Sequence, residues 1–134
     1  MPNTQSIYGY EIRSPHPTEE TYFKTNPVVS GMAAEDGRIV LNPYSKLSEA
    51  QRAAVTKNEA ARLWLREHRV QPSFRLTPEQ LQAFQGTPYS QDELALKHSI
   101  LSRFISGDPS AGAISEEQRQ WGVWLRDQLE KRNK

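Results

Sequence analysis

An α+β fold, mainly helical, with one N-terminal β-hairpin packed on about four helices, is what the sequence predicts. Three observations lead there. An unbroken helical pattern runs from Ser48 to Arg66. A start signal, Ser or Thr three residues before Gln or Glu, recurs along the chain. An Asp36-Gly37 pair stands between two short runs rich in Val, Ile and Leu.

Residues 1–27 read as a proline- and tyrosine-containing arm, and residues 28–134 as a single α+β domain. Prolines at 2, 15, 17 and 27 interrupt the arm, and each pushes its predecessor toward extended geometry. Ile7, Tyr8, Tyr10 and Ile12 alternate as an edge strand would. Thr18 to Phe23 suits one or two helical turns capped by Thr18. Tyr8 and Tyr10, exposed in such an arm, suit docking on a partner, and an arm that simply wraps its own domain fits the same residues equally well.

Val28 to Ala33 and Arg38 to Asn42 flank Glu35-Asp36-Gly37, where Asp-Gly supplies the positive φ angles of a tight hairpin. A lone hairpin is marginal in water, so this one must lie against a helix. Asn42-Pro43-Tyr44-Ser45 then turns the chain into the long helix. Ser48 and Gln51 form its capping box, and alanines at 50, 53, 54, 60 and 61 favour it because they lose no side-chain entropy. Its apolar face is expected to carry Ala50, Ala54, Ala61 and Leu65 beside Ala53, Ala60 and Trp64. Asn58 and Arg62, four residues apart, interrupt that face. Burying an amide without a partner costs ~2–7 kcal/mol. The pair therefore anchors a polar network or floors a groove.

Three more helices follow a connector closed by Pro72. Thr77-Pro78-Glu79-Gln80 opens one bearing Leu81 and Phe84 and ending at Gly86. Ser90-Gln91-Asp92-Glu93 opens the next, with a buried stripe of Leu94, His98, Leu101, Phe104 and Ile105 and Gly107 as its stop. After a turn at Asp108-Pro109-Ser110-Ala111-Gly112, Ser115 to Gln118 opens the last, which carries Trp121, Trp124, Leu125 and Leu129 on one side. The final residues, EKRNK, are expected to fray.

Composition narrows the function. The chain has 134 residues, 36% of them hydrophobic, with 17 basic and 16 acidic side chains and no cysteine. Near-zero net charge removes the electrostatic reason for a nucleic-acid or anionic-membrane partner. Without cysteine there is no disulfide, thiolate metal site or cysteine nucleophile. No apolar run approaches the ~20 residues of a membrane span, and the first residues lack a signal-peptide core. A cytosolic or particle-enclosed protein is the expectation.

Candidate chemistry is sparse. His98 on an apolar stripe is more often a hydrogen-bonded core histidine than a ligand. His16 and His68 have no second histidine at helical spacing. Asp92 and Glu93 complement a helix dipole. No glycine-rich phosphate loop or G-x-S-x-G elbow is present. Trp121 and Trp124 suit either a core or a ridge that anchors a partner.

Two resemblances add to this reading. The strand Ile39-Val40-Leu41-Asn42-Pro43, followed by a helix reading Asn58-Glu59-Ala60-Ala61-Arg62, resembles the strand and His-Glu-x-x-His helix of small zincin metallopeptidases. In those, two histidines and a later acid bind zinc, and the glutamate is the general base. Here Asn58 and Arg62 replace both histidines and only Glu59 remains. An active zinc peptidase is therefore not expected, and neither is a metal or cofactor. Pro27 to Arg38, Leu41 to Ser45, Asn58 to Arg62 and Ser106 to Ala111 together resemble a family of small proteins of tailed, especially short-tailed, bacteriophages. That resemblance implies a setting in the virion, its assembly, or early action on the host.

The expectation is a non-enzymatic protein–protein interaction component, a phage virion or assembly protein, whose partner is another protein. Its expected binding residues are Asn58, Glu59, Arg62, Tyr8, Tyr10, Trp121 and Trp124. Two alternatives stand beside it. One is a host-takeover regulator that binds a single bacterial protein. The other is a hydrolase acting through Glu59, or through a metal at His98 with Asp92 or Glu93.

Overall fold

In the computed structural model, which describes residues 5–87, 91–108 and 113–132, the chain is reversed almost at once by Tyr8-Gly9. Both residues take positive φ, 51° and 80°, as a two-residue hairpin turn requires. The turn joins β1 (Gln5–Ile7) to β2 (Tyr10–Arg13) in antiparallel register, Ile7 facing Tyr10. Helix α1 (Pro17–Thr25) follows, then β3 (Gly31–Ala33) and β4 (Ile39–Leu41). The sheet order is β1-β2-β4-β3, with β2 and β4 parallel and β3 antiparallel to β4.

The segment read from sequence as an arm therefore supplies half the sheet. Tyr10 is 1% exposed. Its hydroxyl donates to Glu67 Oε2 at 3.3 Å, and the Arg132 guanidinium lies 3.9 Å from its ring centre. Instead of docking outward, Tyr10 ties β2 to the ends of two helices. Helix α1 is longer than two turns and starts at Pro17, so Thr18 lies inside it. Its cap is His16, whose backbone N–H donates to Glu19 Oε1 at 2.8 Å.

The β3–β4 hairpin forms where expected, with shorter strands. Gly37 alone takes a left-handed φ, 79°, and its N–H returns to the Ala34 carbonyl at 3.1 Å. This is the pattern of a three-residue loop closed by glycine, so Asp36 needs no positive φ. Successive strand residues point to opposite faces. Val40 and Met32 pack with Phe23 of α1 on one face, whereas Ile39, Ala33 and Ile12 join the main core on the other. Arg13 bridges the α1 side. Its Nη atoms reach both Glu19 oxygens at 2.8 and 3.0 Å, and its Nε reaches Asp36 Oδ2 at 2.9 Å. This fork and the His16 N–H hold the Glu19 carboxyl down to about 2.

Helix α2 (Glu49–Glu67) crosses the second face, with Ser48 accepting from Gln51 N–H at 3.1 Å. It buries Thr56, Ala60, Ala61, Leu63, Trp64 and Leu65. Ala50 and Ala53 are exposed: the first two turns run past the core, so the apolar face begins later than the alanine pattern implied. Gly31 brings α2 close. A Cβ there would meet Val55 Cγ1 and Val40 O at 3.0 Å each.

Helices α3 (Pro78–Ala83), α4 (Glu93–Ser106) and α5 (Glu116–Arg132) complete the fold. Helix α4 packs on α2, and α5 packs on α4. The cap of α4 is Asp92, which accepts from Ala95 N–H at 3.0 Å. Ser90, the expected cap, lies outside the described residues, as do positions 109–112 of the expected turn. Helix α4 buries Leu101 and Ile105 of its expected stripe but turns Leu94 and His98 outward. Leu96, Ser99, Ile100, Leu101, Ser102 and Ile105 are buried, while Leu94 is 41% exposed and His98 is half-buried. On α5, Leu125 and Leu129 are buried as expected, with Gln118 and Gly122, but Trp124 is 40% exposed. Leu81 on α3 is likewise exposed. No helix among the described residues is long and apolar enough to cross a membrane.

A candidate docking groove along the edge of β3

Strand β3 ends the sheet. The Asn42 N–H donates to Ser30 O at 2.9 Å and the Ala34 N–H to Arg38 O at 2.8 Å. Alternation then turns the backbone groups of Gly31 and Ala33 to the open side. Helix α2 meets them there. Arg66 Nη1 donates to Ala33 O at 3.4 Å and Nη2 to Ala34 O at 2.9 Å, while the Ala33 N–H donates to the Glu59 carboxylate. Side chains of α2 thus occupy positions that a neighbouring strand would otherwise fill.

Between this edge, α2 and α4 lies a groove of about 940 Å³, bordered by Tyr22, Val29, Glu59, Arg62, Arg66, Arg69, Leu94 and His98 among others. A second depression of about 740 Å³ continues it past Asn58 toward Val28 and Arg103. The two share Gly31, Glu59 and Arg62. The interrupted face of α2 is therefore half-buried groove wall. Arg62 Nε donates to Asn58 Oδ1 at 2.8 Å and stands 3.9 Å from Glu59 Oε1. Burial pushes the Glu59 carboxyl above its ordinary range. Arg62, Arg66 and the Ala33 N–H pull it the other way without cancelling that rise.

His98 points its Nε2 at the Val70 carbonyl, 2.7 Å away, which requires a proton on that nitrogen. Asp92 borders the groove but caps α4. Glu93 is paired with Lys97 at 3.3 Å. Among the described residues, no three His, Asp or Glu side chains cluster closely enough to hold a metal ion.

The expected binding residues thus fall in separate places. Asn58, Glu59 and Arg62 come together in the groove. Tyr8, half-buried, sits at the β1–β2 turn and Tyr10 in the core. Trp121 and Trp124 lie on α5 in an edge-to-face series with Trp64, 5.5 Å between successive ring centres, and Trp64 stacks on His68 at 3.9 Å. Neither tyrosine nor either tryptophan of α5 borders the groove.

Sequence reasoning missed Arg66, Arg69, Tyr22, Val28 and Leu94. For the arginines a signal existed: Asn58, Arg62, Arg66 and Arg69 repeat at spacings of four, four and three, which is one helical stripe. The apolar rim residues come from three distant segments and had no such signature. No protein-family model, curated protein or solved structure matches the chain.

Proposed function

We propose that this protein is a non-enzymatic interaction component that holds a segment of a partner protein in the groove between β3, α2 and α4. One observation carries the reading. A long groove follows a sheet edge, and exposed apolar side chains gather on its rim: Val28 at 92%, Tyr22 at 45% and Leu94 at 41% exposed. Solvent-facing apolar groups beside a concave, partly polar floor are the makings of a docking site. The resemblance to a tailed-phage family supports a role in the virion or its assembly. Action on one bacterial protein in the host would use the same groove.

A photo-crosslinking side chain at Leu94, in particles assembled during infection, tests the reading. The expected product is an adduct with one phage protein, absent when the crosslinker stands at Val123 on α5. Equal labelling from both positions would remove the groove from the account. Mass spectrometry of purified particles checks the virion setting, where structural copy number is expected. Presence only in infected lysate, joined to one bacterial protein, would favour the host-directed role.

One feature favours a second reading, a hydrolase of zincin-like ancestry. Glu59 lies in the groove with a raised pKa, as a general base often does. Elemental analysis separates the two, since stoichiometric zinc in the purified protein would support the hydrolase.

A further inference from the structure

The wall of the groove has a chemical bias. Arg62, Arg66 and Arg69 lie along one stripe of α2 and its extension, and all three border the groove. Arg66 hydrogen-bonds to the carbonyls of Ala33 and Ala34, and its charge also acts on Glu59, so that one carboxylate is shared between Arg62 and Arg66. Arg69 leaves the helix with φ of 50° and is exposed. Of the acidic residues on the same wall, Asp92 caps α4 and Glu59 faces Arg62 and the Ala33 N–H. The end of the groove near Arg66 and Arg69 therefore carries an excess of positive charge, and Tyr22, Val29 and Leu94 give the groove an apolar lining as well.

Spacing narrows the occupant. Four helical residues advance ~6 Å. Two residues of an extended chain advance ~6.7 Å and bring alternate side chains to the same side. An extended segment in the groove can thus set same-side groups against Arg62 and Arg66, four helical residues apart, and run on toward Arg69 beyond the helix end, while the intervening ones meet the apolar residues. Because the second depression continues from Arg62, a chain can pass through instead of ending there. We propose that the groove takes an extended, internal segment of a protein partner in which acidic side chains alternate with apolar ones. This rests on the docking reading above.

The test uses the full chain and a fluorescein-labelled peptide of about nine residues, alternating Glu and Val, acetylated and amidated at its ends. Its Gln–Val and Lys–Val counterparts, and the Gln–Val peptide with a free C-terminal carboxylate, are measured alongside by fluorescence polarisation. The acidic peptide is expected to bind at least about tenfold more tightly than the Gln form, and to weaken as salt rises. Arg69→Glu should abolish the preference without moving the thermal melt, whereas Val123→Glu should change nothing. Equal binding of the Glu and Gln peptides would overturn the inference and leave the docking reading intact. Binding that needs the free C-terminal carboxylate would overturn it in favour of a terminal ligand. No binding by any peptide would overturn it too, while the crosslinking experiment decides the docking reading separately.

Discussion

Glu59 and Glu19 are carboxylates with opposite relations to pH. The folded pKa of Glu59 is raised, chiefly by burial. Below its unfolded value both states are protonated and nothing is lost. Above its folded value the ionised form is held at a disadvantage. Glu59→Gln keeps an oxygen for the Ala33 N–H and removes the charge. Thermal melts should show the variant equal to the parent below the ordinary carboxylate range and increasingly more stable than it as pH rises above that range, where ionising Glu59 costs the folded parent. A lower melting temperature at neutral pH would mean that the arginines outweigh burial. Glu19 runs the other way. Its folded pKa is about 2 against an ordinary 4.5, so its contribution is present above the ordinary value and lost as pH falls from there toward 2. Arg13→Ala should flatten that acid limb. Gln80 and Gln118 are both buried, and each side-chain amide donates to the other's oxygen, at 2.6 and 2.8 Å. Gln118 Nε2 also donates to Arg75 O at 2.7 Å. Gln118→Ala orphans the Gln80 amide and that carbonyl, so chemical denaturation should show a loss of at least ~2 kcal/mol.

At the scale of elements, the capping boxes of Ser48–Gln51, Thr77–Gln80 and Ser115–Gln118 form as the sequence implied. They were legible because a cap is a local bargain between residues three apart. Helix rotation was less legible. On α4 the 3.6-residue period is met by Leu94, His98 and Leu101, but also by Leu96, Ile100 and Ser99. The second set is buried together with Leu101, because α2 and α5 both pack on this helix. Where α4 and α5 meet, Gly122 is buried and a Cβ there would collide with the Phe104 ring. In an exposed helix Gly→Ala gains about 1 kcal/mol. Here the sign should reverse, with Gly122→Ala lowering stability by roughly 1–3 kcal/mol in denaturant titration. A stabilised variant would mean that the ring swings aside freely.

For the molecule as a whole, the consequential surprise is the first thirteen residues. β2 lies between β1 and β4, and Tyr10 closes against Glu67 and Arg132 from the ends of α2 and α5. Deleting residues 1–13 should strip the inner strand from Ile39 and Val40 and abolish cooperative unfolding, as followed by calorimetry. A docking arm could be removed with the melt left in place. The same closure shapes the candidate site. Asn58 and Arg62 were visible as misfits on an apolar helix, but a misfit does not say what faces it. Tyr22 from α1, Val28 from the β3 approach and Leu94 from α4 meet them only once the sheet and helices have packed.

The sequence by itself determined where α2, α3 and α5 begin, where α4 stops, the β3–β4 hairpin, and the polar interruption of α2, since each rests on residues within a few positions of one another. Only the tertiary structure decided that the opening segment is a hairpin with β2 inside the sheet and not a single edge strand, which way α4 turns, and that the polar interruption lines a groove. Those outcomes depend on contacts between distant segments, whose free energy no local pattern encodes.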